Sequence, residues 1–246
     1  SSLKEKSTKE SIAVLEHLRK YEVLVYKKKK STDKNQEGLF GTFMFGTTLL
    51  GGENSYLSVK EVESLPIEIL FVDRFIQLAK PGGWIAVIIP DGILTNSNAH
   101  YVREFISNKT KIEAIVSLPR DTFKNVGTNA KTSILFLRKL KKDEKMGDSY
   151  PVFLASINKI EKGQFDLIVK SYEKIYNSRS NHMDNANKIQ ITTDQNKNEI
   201  VMVRVDKTVK ELNEEKPQSR WDAKYWHPKY DNIINTLKKG KFPLKP

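Results

Sequence analysis

The chain has 246 residues, 38% of them hydrophobic, and 42 Lys and Arg against 30 Asp and Glu, a formal net charge of +12. It contains no cysteine, which excludes disulfides, thiolate zinc sites and thiol catalysis. The basic excess favours a polyanionic partner such as nucleic acid, the plainer explanation being a lysine-rich surface.

The first predicted element is a helix over residues 2–26, with Ile12, Leu15 and Leu18 at helical spacing. Lys27, Lys28, Lys29 and Lys30 then open a polar stretch read as a solvated segment. Residues 39–50 mix apolar residues with glycine and read as a loop on the core. They do not match a G-x-G-x-x-G phosphate fingerprint.

From Pro66 the signals sharpen. Ile69, Leu70, Val72, Phe75, Ile76 and Leu78 give a helix with a broad apolar face, stopped by Lys80-Pro81-Gly82-Gly83. Trp84 to Ile89 is a nearly unbroken apolar run, which predicts a strand buried on both faces of a mainly parallel sheet. Pro90-Asp91-Gly92 ends it as a turn. A helix over 98–108 follows, then strands at 112–118 and 132–137 joined by the polar loop 120–131.

Beyond Lys139 the pattern predicts a strand at 151–157, a helix at 167–176 and a linker or exposed loop over 177–198. A strand at 200–205 and a short helix at 228–237 complete it. The longest apolar run, Trp84 to Pro90, is far short of the ~18 residues of a membrane span. His17, His100, His182 and His227 show no ligand spacing, so no metal site is expected.

Residues 65–139 resemble the N6-adenine DNA methyltransferases of restriction-modification systems, in particular type I modification subunits and fused type II relatives. The resemblance rests on the order and spacing of Glu68 to Arg74, Lys80-Pro81-Gly82-Gly83, Ile88-Ile89-Pro90-Asp91-Gly92, Tyr101 to Ile106, Ser117-Leu118-Pro119, Thr122-Phe123, Gly127-Thr128 and Lys131 to Leu137. It implies an α/β fold: the C-terminal half of a class I S-adenosylmethionine-dependent methyltransferase (Rossmann-like) sheet with a loop-rich extension. Two motifs of the family have no match here, the glycine loop for S-adenosylmethionine and the Asn-Pro-Pro-aromatic tetrapeptide that grips the target amine. Ser1 is therefore expected just after that tetrapeptide, with an exposed edge on the Trp84 strand.

The resemblance also places an aromatic against the flipped base at Phe123, in a loop where Arg120, Lys124 and Lys131 are candidate phosphate contacts. The plainer alternatives are a ring plugging its loop and ordinary surface charges. Arg220-Trp221-Asp222-Ala223-Lys224-Tyr225-Trp226 resembles the opening of a target-recognition domain of type I specificity subunits. The equally weighted alternative is an aromatic segment docked on the preceding domain.

The implied organisation is residues 1–157 as methyltransferase, 158–216 as extension and linker, and 217–246 as the recognition-like segment. The implied function is adenine-N6 methylation in the cytoplasm with S-adenosylmethionine as co-substrate, bound mainly outside this chain. Implied partners are double-stranded DNA, an N-terminal half or complementary subunit, and specificity and restriction subunits, with no membrane. Two other readings stay open: a non-catalytic DNA-binding or assembly module, and an unrelated small-molecule α/β enzyme.

Overall fold

The computed structural model describes residues 66–177, 188–215 and 219–238. The helix expected over 2–26, the lysine run and the glycine-rich stretch at 39–50 lie outside these residues.

The described residues fall into two units. The first holds helix α1 (Ile67–Leu78) and the Tyr101–Lys109 part of helix α3 (His100–Lys109). Pro66 precedes α1, where its fixed φ suits helix entry and its missing N–H costs nothing. Ile69, Val72 and Ile76 are buried, while Ile67, Phe71, Phe75 and Leu78 form an exposed stripe.

The second unit is built on a six-stranded sheet in the order β1-β3-β2-β4-β6-β5. Its strands are β1 (Trp84–Pro90), β2 (Thr110–Ser117), β3 (Thr132–Lys139), β4 (Phe153–Ile157), β5 (Ile189–Thr193) and β6 (Glu199–Arg204). The short helix α2 (Asp91–Thr95) follows β1 directly, and α4 (Lys162–Asn177) lies between β4 and β5. Helix α5 (Val209–Glu214) follows β6, and α6 (Asp231–Lys238) comes last.

The expected α/β architecture is present, but the sheet is not mainly parallel. Only β2 and β4 pair in parallel; the other four pairings are antiparallel. The reason is insertion: β3 returns between β1 and β2, and β6 between β4 and β5. Strands β1, β2 and β4 still point the same way, so their carboxyl ends share one edge.

Burial on both faces belongs to β2 and β4, not to β1. Every residue of β4 is buried, whereas Trp84 and Ile88 of β1 are 61% and 49% exposed. Among the described residues β1 pairs on one side only, with β3. An end strand shows solvent what a central strand hides.

One face of the sheet presents Ala114, Val116, Phe153, Ala155, Ile157, Val201 and Val203, packed with Ile168 and Ile175 of α4. Tyr172 meets Phe153 edge-on and stacks on Tyr176, closing that layer. On the opposite face Ile115, Leu135, Leu137, Leu154 and Met202 are wholly buried.

The linker expected over 177–198 contains strand β5. Its sequence IQITT alternates in burial, as an end strand does, and it pairs with β6. Helix α5 was also not expected, although Thr208 and Glu211 form a complete capping box at its start. The turn Pro81–Gly83 depends on Gly82, whose φ of +77° is left-handed; its N–H donates to the Lys139 carbonyl at 2.9 Å.

Candidate functional site at the carboxyl edge of the sheet

In open α/β sheets ligands gather outside the carboxyl ends of the parallel strands. Here that edge carries Pro90-Asp91 after β1, Leu118-Pro119 after β2, and the loop 119–131 leading back into β3. Two backbone bonds fasten the loop's base: Asp91 N–H to the Lys131 carbonyl at 2.9 Å and Leu118 N–H to the Thr132 carbonyl at 3.0 Å.

Asp91 is more than the turn residue expected from sequence. Its buried carboxylate accepts from Ser133 Oγ at 2.7 Å and pairs with Lys131 Nζ at 2.8 Å. Ser133 Oγ lies 3.3 Å from Ser117 Oγ, so a polar chain crosses β1, β3 and β2. Lys131 Nζ also lies 3.7 Å from Asp222 Oδ2, and Arg220 binds Asp222 through Nε at 2.9 Å and Nη2 at 3.2 Å. Charges at this depth persist only when paired and hydrogen-bonded.

The segment around Trp221 is held from several sides. Trp221 is fully buried; its N–H donates to the Leu94 carbonyl at 3.1 Å, and its indole Nε1 donates to Asn213 Oδ1 at 2.8 Å. Trp226 Nε1 donates to the Arg220 carbonyl at 2.8 Å, and Arg220 lies over the Tyr225 ring. Arg204, wholly buried on β6, donates to the Trp226 carbonyl, binds Asp206 at 2.7 and 2.5 Å, and reaches Asp231 at 3.2 Å. Burial alone would lower the Arg204 pKa, but the hydrogen bonds to Asp206 and Asp231 hold it above its ordinary value. These aromatics are therefore packed inside the sheet-bearing unit.

Phe123 is half-buried and heads a 3-10 turn, Lys124–Val126, on the 119–131 loop. The loop is shaped by Thr122 Oγ1 donating to the Pro119 carbonyl at 2.6 Å and by Gly127 at φ +87°. Arg120 and Lys124 are exposed on the same loop. Lys131 differs from them, because its charge is engaged by Asp91 and it braces the loop base from inside.

No spacing rule in the sequence points to Lys224 as a binding residue. It is half-buried in the turn closed by Tyr225 N–H on the Asp222 carbonyl at 3.1 Å. Its pKa is lowered, first by burial and then by Lys131 and Arg120, against the opposing pull of Asp91 and Glu199. No group of three or more His, Cys, Asp or Glu suited to a metal ion occurs among the described residues. No described helix is long and apolar enough to cross a membrane.

The model of the family described as N-6 DNA Methylase matches residues 56–221. The chain belongs to this family. The match ends at Trp221, so it takes in the sheet, its carboxyl edge and the first part of the docked aromatic segment.

The chain is also similar to Defense against restriction protein B of Escherichia phage P1, with 28% identity over 96 residues; these are 38% of this chain and 4% of that protein. Among solved structures, the M protein of the type I restriction enzyme EcoKI shares 16% identity at a TM-score of 0.42, over 71% of this chain and 44% of that one. The methyltransferase subunit of a type I restriction-modification system from Streptococcus thermophilus shares 14% at 0.41, over 68% and 31%. The chain thus spans less than half the length of each of these relatives.

The described residues do not fit a cradle for S-adenosylmethionine. After β1, Asp91 is ion-paired, and a side chain at Gly92 would meet the Asn96 amide at 3.1 Å. After β4, the N–H groups of Asn158 and Lys159 both donate to the buried Gln164 Oε1 at 3.1 Å. The Asp91 carboxylate is already engaged by Lys131 and Ser133, and the β4 turn has used its N–H groups on Gln164, leaving little at either turn for an adenosyl ligand to bind.

Proposed function

We propose that this chain forms part of a DNA adenine-N6 methyltransferase of a restriction-modification system, which transfers methyl from S-adenosylmethionine to an adenine turned out of the duplex. Membership of the N-6 DNA methylase family over residues 56–221 carries the reading. The net charge of +12 and the exposed Arg120 and Lys124 on the loop of Phe123 support it.

An exocyclic adenine amine is a weak nucleophile, since its lone pair is delocalised into the ring, and the base must first leave the stack at a cost of a few kcal/mol. Phe123 offers an aromatic face that returns roughly 1–3 kcal/mol of stacking. Arg120 and Lys124 contact flanking phosphates, and Asp91 with Lys131 keeps the loop base in register. Groups outside the described residues hold the methyl donor, on the same polypeptide or a complementary subunit; specificity and restriction subunits are further partners.

The test uses the full-length gene product, duplex DNA and S-adenosylmethionine labelled in its methyl group. Label recovered as N6-methyladenine after digestion to nucleosides is the expected result. A protein that binds the labelled donor and DNA yet transfers nothing would overturn it. A second reading, a DNA-binding or assembly module without catalysis, is favoured by the poor fit of the described residues to the donor. It predicts salt-sensitive DNA binding with no donor binding at all.

A further inference from the structure

We propose that Lys224 and Arg120 together bind one backbone phosphate of the DNA at the carboxyl edge of the sheet, an inference that rests on the DNA reading above. At this edge some cations have a carboxylate partner and others do not. Lys131 is taken by Asp91, and Arg220 by Asp222. Glu199 is hydrogen-bonded to His227 at 2.6 Å. Lys224, Arg120 and Lys124 make no ion pair among the described residues, and of the three only Lys224 is half-buried.

Their surroundings are firm. Lys224 lies two residues beyond Asp222 and three beyond the fully buried Trp221, in a hydrogen-bonded turn. Asp222 in turn lies 3.7 Å from Lys131, at the base of the loop that carries Arg120. A half-buried ammonium held beside like charges carries a desolvation cost that an anion would relieve. Because the turn is already anchored, little ordering is lost when the anion binds. The same edge carries the Phe123 loop.

Lys224→Gln, Arg120→Gln and the double variant are compared with the wild-type full-length gene product by fluorescence anisotropy on a duplex across a KCl series. Each single change is expected to weaken binding roughly threefold to tenfold, alike on all sequences, and to lower the slope of log K against log salt by up to about 1, the double variant losing about 1 in total because the two side chains share one phosphate. Lys224→Arg is expected to restore the slope. Lys142→Gln, beyond the opposite end of β3, is expected to leave it unchanged.

Arg120 is exposed, so its variant reports even where Lys224→Gln fails to fold. A wild type that binds duplex steeply with salt, with unchanged slopes in the Lys224 and Arg120 variants, would overturn this inference alone. A wild type that binds no duplex at low salt would overturn both it and the DNA reading. Weakened S-adenosylmethionine binding in Lys224→Gln with an unaltered DNA slope would reassign the anion to the donor's carboxylate and overturn the phosphate site.

Discussion

Lys131 Nζ and Asp91 Oδ2 lie 2.8 Å apart where β1 ends and β3 begins. The pair ties the turn after one strand to the loop before its neighbour, and through Asp222 it also reaches the segment around Trp221. Breaking a buried pair costs about 3–5 kcal/mol. Lys131 keeps a quarter of its side chain exposed, so solvent recovers part of this. Lys131→Met is expected to lower unfolding stability by about 2 kcal/mol, read by urea denaturation. Asp91→Asn combined with Lys131→Met should cost less than the sum of the single changes by about 1 kcal/mol. Strict additivity would mean that the two side chains do not depend on each other.

Trp221 is the largest fully buried side chain described, and its indole nitrogen is bonded to Asn213. Truncating a buried tryptophan costs about 3–5 kcal/mol. Trp221→Ala is expected to fall in that range, and Trp221→Phe to lose about 1–2 kcal/mol through the unsatisfied Asn213 and the lost ring area. Thermal unfolding checks this. A neutral Trp221→Ala would show that the segment packs on the sheet without stabilising it.

How much of this the chain discloses varies with range. Periodicity located α1, β2, β3 and β4 because each carries a strong apolar pattern. It overstated the burial of β1, whose apolar run WIAVIIP resembles a central strand although Trp84 and Ile88 face solvent. Strand β5 was hidden because its neighbours are rich in Asn, Asp and Lys, although the β-branched alternation of IQITT was readable. The capping box of Thr208 and Glu211 was readable too. The network of Asp91, Lys131 and Asp222 was not: its members lie on distant segments, and only the return of β3 beside β1 and the docking of Trp221 bring them together.

Glu144 gives a pH prediction. The Arg138 guanidinium donates to its carboxylate at 2.6 and 3.1 Å, and the Lys141 N–H adds a bond at 2.8 Å. The hydrogen bond from Arg138 is the main cause that lowers its pKa from 4.5 to about 2. A carboxyl depressed in the folded state stabilises that state above its ordinary pKa, and the contribution is lost as pH falls through the folded value. The affected window runs from about 4.5 down to about 2. Carboxyl-carbon NMR should show Glu144 titrating near the bottom of it, and Glu144→Gln should flatten this part of the acid unfolding curve. A Glu144 titration near 4.5 would mean that the fork to Arg138 does not persist in solution.

Phe123 separates a ring that receives the base from one that only fills its loop. It is half-buried and followed by the exposed Val126, so its removal has limited consequences for the fold. In the full-length gene product, Phe123→Ala is expected to lower kcat/KM for methylation roughly tenfold to a hundredfold, the equivalent of about 1–3 kcal/mol of lost stacking. Unfolding stability should change by less than about 1 kcal/mol. Phe123→Tyr keeps the aromatic face and should retain most of the rate. With 2-aminopurine in place of the target adenine, fluorescence on binding should rise less for Phe123→Ala than for wild type, since the extruded base loses its resting surface. Equal rates and equal fluorescence would make the ring a loop plug, and a loss of stability without a change in rate would say the same by another route.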